Sequence, residues 1–166
     1  MKSIEELNEM LVCEICQYLD EIDFDVDLEC YNELTGDVSF LLAGVLESQL
    51  KRSFNDWEPN KWIDDSLLTK IAIDGKKVSI WGVMIWGRID TTQQWIDPFY
   101  FEMILNATCS NFVEFTFLFG EEKNIEVTYE EFNTNRNLWG GGFYSDIYWT
   151  PFERDWKYII NVKGLH

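Results

Sequence analysis

Residues 78–119 read VSIWGVMIWGRID (78–90), TTQQ (91–94), WIDPFYFEMIL (95–105), NATCSN (106–111) and FVEFTFLF (112–119). Three apolar and aromatic runs of strand length alternate with polar bends, and β-branched and ring-bearing residues dominate the runs. Consecutive strands have this composition. In the last run Val113, Phe115, Phe117 and Phe119 fall on one face, with Glu114 and Thr116 on part of the other. That is the period of two of a half-buried sheet. The connections after Ile71 are too short for helical crossovers, so antiparallel order is expected.

Outward from this block, strands are expected at about 70–74, 77–88, 98–106, 112–119, 124–129 and 155–163. Asp74-Gly75 between apolar runs is a hairpin signal, because both residues tolerate positive φ. In the last strand Trp156, Tyr158, Ile160 and Val162 would share a face. Upstream, Ser3 and Glu6 form a capping-box pattern. Ile4, Leu7, Leu11, Ile15, Tyr18, Leu19 and Ile22 then recur at threes and fours, an amphipathic helix over about 3–19. A second helix is expected over about 37–54, capped by Thr35 or Asp37 and striped by Val38, Leu41, Leu42, Val45, Leu46, Leu50 and Phe54. Gly44 inside it marks a close contact or a local weakness. NDWEPNKWIDDS (55–66) reads as a connecting loop, with Trp57 and Trp62 at the core edge and Asp64 or Ser66 capping one further helical turn. The class is α+β: two N-terminal helices packed on a mostly antiparallel sheet of about five or six strands. With 166 residues and no linker or repeat, one domain over 1–166 is expected, mainly helical over 1–66 and mainly β over 67–166.

Hydrophobic residues make up 46% and aromatics 16%, ample for a packed core, while the net charge is −17. Such a charge opposes nucleic acid and anionic membranes as partners and favours a basic one, although acidity for solubility alone is the bland alternative. The charge is uneven. Residues 1–37 hold twelve acids against one Lys, a net −11, and the other 129 residues carry −6. Eight acids and no base lie between Asp20 and Asp37. Phe24, Val26 and Leu28 alternate with Asp23, Asp25 and Asp27, as in a short acidic-edged strand or an extended loop.

Asp23-x-Asp25-x-Asp27 invites a calcium reading, but Leu28 and Leu34 stand where an EF-hand needs Gly and a bidentate Glu. Gly140-Gly141-Gly142 lacks the Lys-Ser/Thr and the spacing of a phosphate loop. Cys13 and Cys16 form a CxxC inside the first helix rather than at its start, and Cys30 and Cys109 add no second CxxC, so reduced and mostly buried thiols are expected. The one His is His166, which removes Ser-His and Cys-His catalysis and most histidine metal sites. No enzyme, cofactor or metal is expected. The segment 130–151 carries Trp139, Phe143, Tyr144, Tyr148 and Trp149, rings that serve as interface anchors, core residues or a sugar-stacking surface. The first residues lack a signal-peptide pattern and no apolar run spans a membrane. A cytoplasmic location is expected, and the Asn106-Ala107-Thr108 sequon reads as accidental.

The pattern IWGVMIWG…QWIDPFYFEMIL, followed by FTFLFGEEKNIEVTY, resembles the core of the immunity proteins of bacterial polymorphic-toxin and contact-dependent growth inhibition systems. The resemblance covers Trp81 to Tyr129, and its matching residues are mainly structural, so no binding residue is carried over. It implies a cytosolic antitoxin that binds a cognate toxin and occludes its active site. Charge points to a basic, nuclease-type toxin as partner. On that reading Asp20, Glu21, Asp23, Asp25, Asp27, Glu29 and Glu33 steer the encounter, and Trp139, Phe143 and Tyr144 anchor it. The alternative is a small-molecule or carbohydrate-binding module using the aromatic segment.

Overall fold

The computed structural model describes residues 3–21, 28–54, 57, 60–88, 93–108, 110–120, 125–134 and 150–164. Helices α1 (Ile4–Glu21) and α2 (Leu28–Ser53) come first. Strands β1 (Lys61–Asp74), β2 (Lys77–Arg88), β3 (Gln93–Leu105), β4 (Phe112–Phe119) and β5 (Ile125–Thr128) follow, then α3 (Tyr129–Thr134), a 3-10 turn at Pro151–Glu153 and β6 (Tyr158–Lys163). Among the described residues six strands form one sheet in the order β1-β2-β3-β4-β6, with β5 also paired to β3, and every pairing between them is antiparallel. The α+β class, two leading helices and antiparallel sheet are those expected.

Strand β3 is shared between two partners. Its Gln93–Ile96 segment pairs with β5, and Phe99–Leu105 pairs with β4. Pro98 sits at the changeover, and its carbonyl accepts from Gly120 N at 3.1 Å. A strand residue directs N–H and C=O to the same side, so the donor that proline lacks falls where neither neighbour needs it.

Helices α1 and α2 cover one face of the sheet. Leu11, Val12 and Ile15 of α1 and Val38, Leu41, Leu42, Val45, Leu46 and Leu50 of α2 pack with Ile80, Met84, Phe99, Phe101, Phe115, Phe117 and Phe119 in the main core. Among the described residues a β-carbon at Gly44 would meet Leu7 alone, at 3.6 Å, so this glycine marks the crossing of the two helices. On the opposite face Val83, Ile85, Ile96 and Val127 bury against Phe132 of α3. Tyr100 and Leu118 form a further cluster there with Trp81 and Trp156.

Four local expectations are corrected. First, α2 starts at Leu28, so Thr35, Gly36 and Asp37 lie inside the helix and cap nothing. A glycine costs about 1 kcal/mol in a helix, too little to stop one that begins in the helix formers of LECYNEL. Leu28 is therefore helical; residues 23–27 of the expected acidic strand or loop lie outside the described residues. Second, Lys61–Ser66 is strand, not loop and helical turn. Register shifts between Ile63 and Asp65 and between Leu68 and Lys70 break the alternation that would have revealed β1. The polar residues there are used: Ser66 Oγ donates to Ser39 O of α2 at 3.0 Å, and Gln94 Nε2 donates to Asp64 Oδ2 at 2.8 Å. Third, β5 ends at Thr128 and Tyr129 opens α3 instead of extending the strand, with Thr128 as the cap: Glu131 N donates to Thr128 Oγ1 at 3.1 Å, and Thr128 Oγ1 donates to Glu131 Oε1 at 3.1 Å. Fourth, Trp156 precedes β6 and packs on the face away from the helices, while Tyr158 and Ile160 face the main core.

The turn between β1 and β2 uses Gly75, at φ +61°, with Lys76 rather than Asp74 as its second residue, because Asp74 already pairs with Lys77. The NATCSN bend is tied by one side chain. Asn106 Oδ1 accepts from Ser110 N at 3.0 Å, Asn111 N at 3.3 Å and Thr108 Oγ1 at 3.3 Å. Asn106 thus has a turn-forming role. Asn106→Ala is expected to destabilise by about 1–2 kcal/mol, since each such bond contributes about 0.5–1.5 kcal/mol, and the urea midpoint measures it.

Candidate partner-binding surface

The acids selected from sequence fall around the α1–α2 connection. Asp20 and Glu21 close α1, and Glu29 and Glu33 open α2; the side chains of these four, and Asp23, Asp25 and Asp27 entirely, lie outside the described residues. Six residues join the two helix ends, so the acid-bearing ends are neighbours in space. Their placement is informative energetically. The last turn of α1 holds Asp20 and Glu21 and no base, although the C-terminal end of a helix favours cations by about 0.3–1 kcal/mol per charge. These two acids oppose the helix that carries them. Glu29 lies at the favourable end of α2. Trp139, Phe143 and Tyr144 lie outside the described residues, so the structure neither joins them to the acids nor parts them.

Further acids continue along α1, where Glu5, Glu6 and Glu9 are exposed. Cys13 is also exposed, and the side chains of Cys16, Cys30 and Cys109 lie outside the described residues. Cys13 stands roughly 200° around the helix from Leu11, and that turns it away from the core. The sequence reading missed Phe40. It lies on α2 and is 78% exposed, off the stripe set by Val38, Leu41, Leu42 and Val45. An isolated exposed ring leaves no periodic signal; only its failure to fit the stripe gives it away.

Among the described residues a cluster of four rings is already filled. Trp57, Trp86, Phe119 and Tyr158 surround a void of only about 10 Å³ with Asp97 and Lys61. Lys61 Nζ stands 5.5 Å from the Trp57 ring centre and 5.4 Å from that of Trp86, within cation–π range. Asp97, 3% exposed, accepts from Trp86 Nε1 at 2.7 Å. This group closes the end of the core and leaves no room for a ligand. Trp57 belongs to that core, and Trp62 packs over Gly87 of β2.

The face away from the helices carries a polar network. The Tyr100 hydroxyl lies 3.1 Å from Ser79 Oγ and 3.2 Å from Glu102 Oε2, and Lys77 Nζ is 3.2 Å from Glu102 Oε1. Burial, opposed by the Ser79 hydrogen bond and reinforced by the Glu102 charge, pushes the Tyr100 phenol from 10.0 up to about 12. The folded state then holds this proton more tightly than the unfolded chain, so stability falls as pH rises above about 10. Phenolate absorbance is expected to show one tyrosine ionising near pH 12 in the folded protein. Its loss in Tyr100→Phe assigns it.

Among the described residues no group of three or more His, Cys, Asp or Glu is placed to hold a metal, and no helix is long and apolar enough to cross a membrane. No protein-family model, curated protein or solved structure matches the chain.

Proposed function

We propose that this protein is an inhibitor of the immunity type, which binds a basic protein toxin and blocks its active site. The observation that carries the reading is the uneven charge. Twelve acids against one Lys in residues 1–37 give a net −11, and two of them sit where the α1 dipole disfavours them. Charge retained against local helix energetics is what an electrostatic docking surface requires. A toxin domain that acts on nucleic acid must itself be basic, so an acidic inhibitor is steered to its substrate groove. Phe40 supplies an apolar anchor on α2, the helix that Glu29 and Glu33 open.

The test is affinity capture from the native lysate at low and high salt. A single stoichiometric basic protein is expected at low salt, with recovery falling as salt rises; no partner at either salt refutes the reading. Phe40→Asp is expected to leave the melting temperature within about 0.5 kcal/mol equivalent of wild type and to weaken capture at least tenfold. Binding unchanged by this variant removes Phe40 from the interface.

A further inference from the structure

A cleft of about 340 Å³ lies where the first turns of α1 meet the last turns of α2 and the ends of β4 and β6. Asn8 lines it. This side chain is 8% exposed, and its Oδ1 has no hydrogen-bond partner among the described residues. A buried acceptor left without a donor costs free energy that a ligand's N–H would recover. Gln49, also buried, adds a second amide from α2.

The charges around these amides have both signs. Glu5 and Glu9 come from α1, and Arg52 comes from α2. Lys163 lines the cleft as well, but its ammonium is bonded to Glu114, whose carboxyl that bond, with a second from Asn161, holds below its ordinary range. Among the described residues lining the cleft, Arg52 is therefore the cation left for a ligand. A simple anion would meet Glu5 and Glu9, and a simple cation would meet Arg52. Phe112 and Val162 contribute apolar wall. The volume is at the lower end of ligand pockets, roughly 300–1,000 Å³.

We infer that this cleft binds a small zwitterion of amino-acid size. The ligand's ammonium donates to Asn8 Oδ1 and the α1 carboxylates, its carboxylate takes the Arg52 guanidinium, and its side chain rests on Phe112 and Val162. The site uses none of the acids between residues 20 and 33 and stands independently of the inhibitor reading.

The test uses the full chain, with thermal unfolding and isothermal titration against each L-amino acid in turn; ethylammonium chloride and sodium acetate are the single-charge controls. At least one amino acid is expected to bind with one-to-one stoichiometry and raise the melting temperature, while neither control does. Asn8→Leu removes the unpartnered acceptor at similar volume. It is expected to leave the free protein at least as stable as wild type and to weaken binding more than tenfold. Arg52→Gln, at an exposed position, is expected to weaken binding about tenfold, the loss typical of one charge-assisted contact, with partial rescue by Arg52→Lys. The inference is overturned if no amino acid binds, if either control binds as well, if Asn8→Leu lowers stability, or if Arg52→Gln binds as wild type.

Discussion

Replacing Gly82 with alanine is expected to cost about 3 kcal/mol, the upper end of the usual range for overpacking a core. Gly82 lies in the middle of β2, paired with Leu68 on β1 and Phe99 on β3. A β-carbon there would stand 2.3 Å from Leu67 O and 2.7 Å from the Phe99 ring. The first obstacle is backbone held in a strand pair, and the second is a ring with no exposure. Neither can move without disturbing the main core. For a chain of this size the loss lowers the melting temperature by roughly 6–12 °C. Gly44→Ala is the internal control: its β-carbon would meet Leu7 at an ordinary 3.6 Å, and alanine's helix preference over glycine is expected to stabilise by about 0.5–1 kcal/mol. Equal effects from the two substitutions would contradict the packing described at β2.

The second large effect is on recognition. The triple variant Asp23→Lys, Asp25→Lys, Asp27→Lys shifts the charge of the α1–α2 connection by six units. If charge steers the encounter, association with the captured partner is expected to slow by about 10–100-fold at low ionic strength, within the range attributed to steering. Dissociation should change much less, because long-range attraction acts before contact is made. At physiological ionic strength charges are screened beyond about 8 Å, so the rates of wild type and variant should converge as salt rises. Equal association rates at low salt would show that these acids serve solubility alone.

The parts of this fold that were legible in sequence are those where local chemistry and tertiary structure agree. Strands β2 and β4 occupy 77–88 and 112–119, as expected, and Phe115, Phe117 and Phe119 share the core face, while a register shift at Ile104/Leu105 brings Phe112 rather than Val113 into that core. The apolar stripe of α2 is buried as the periodicity required. Strand β1 was hidden because its bulges shift the side-chain alternation at Asp64 and again before Lys70. The start of α2 was hidden because Thr35-Gly36-Asp37 imitates a helix cap, and packing downstream of it outweighs a local propensity. Helix α3 did announce itself through Thr128 and Glu131, but six residues are too few to show a period.

Less of the candidate surface could be read. Charge asymmetry is additive along a chain and survives without a structure, so the acids between Asp20 and Glu33 were visible. Phe40 and the cleft were not. Exposure of a single ring depends on where a helix is seated, and the cleft draws residues from four elements, with Glu5 and Lys163 at opposite ends of the chain.

The claim that this protein is an inhibitor is tested most directly by titrating it into the purified partner while following that partner's own activity. The activity is expected to fall linearly and vanish at one equivalent, with the endpoint moving to higher protein concentration as salt is raised. Full activity retained in the saturated complex would contradict inhibition, whatever the affinity.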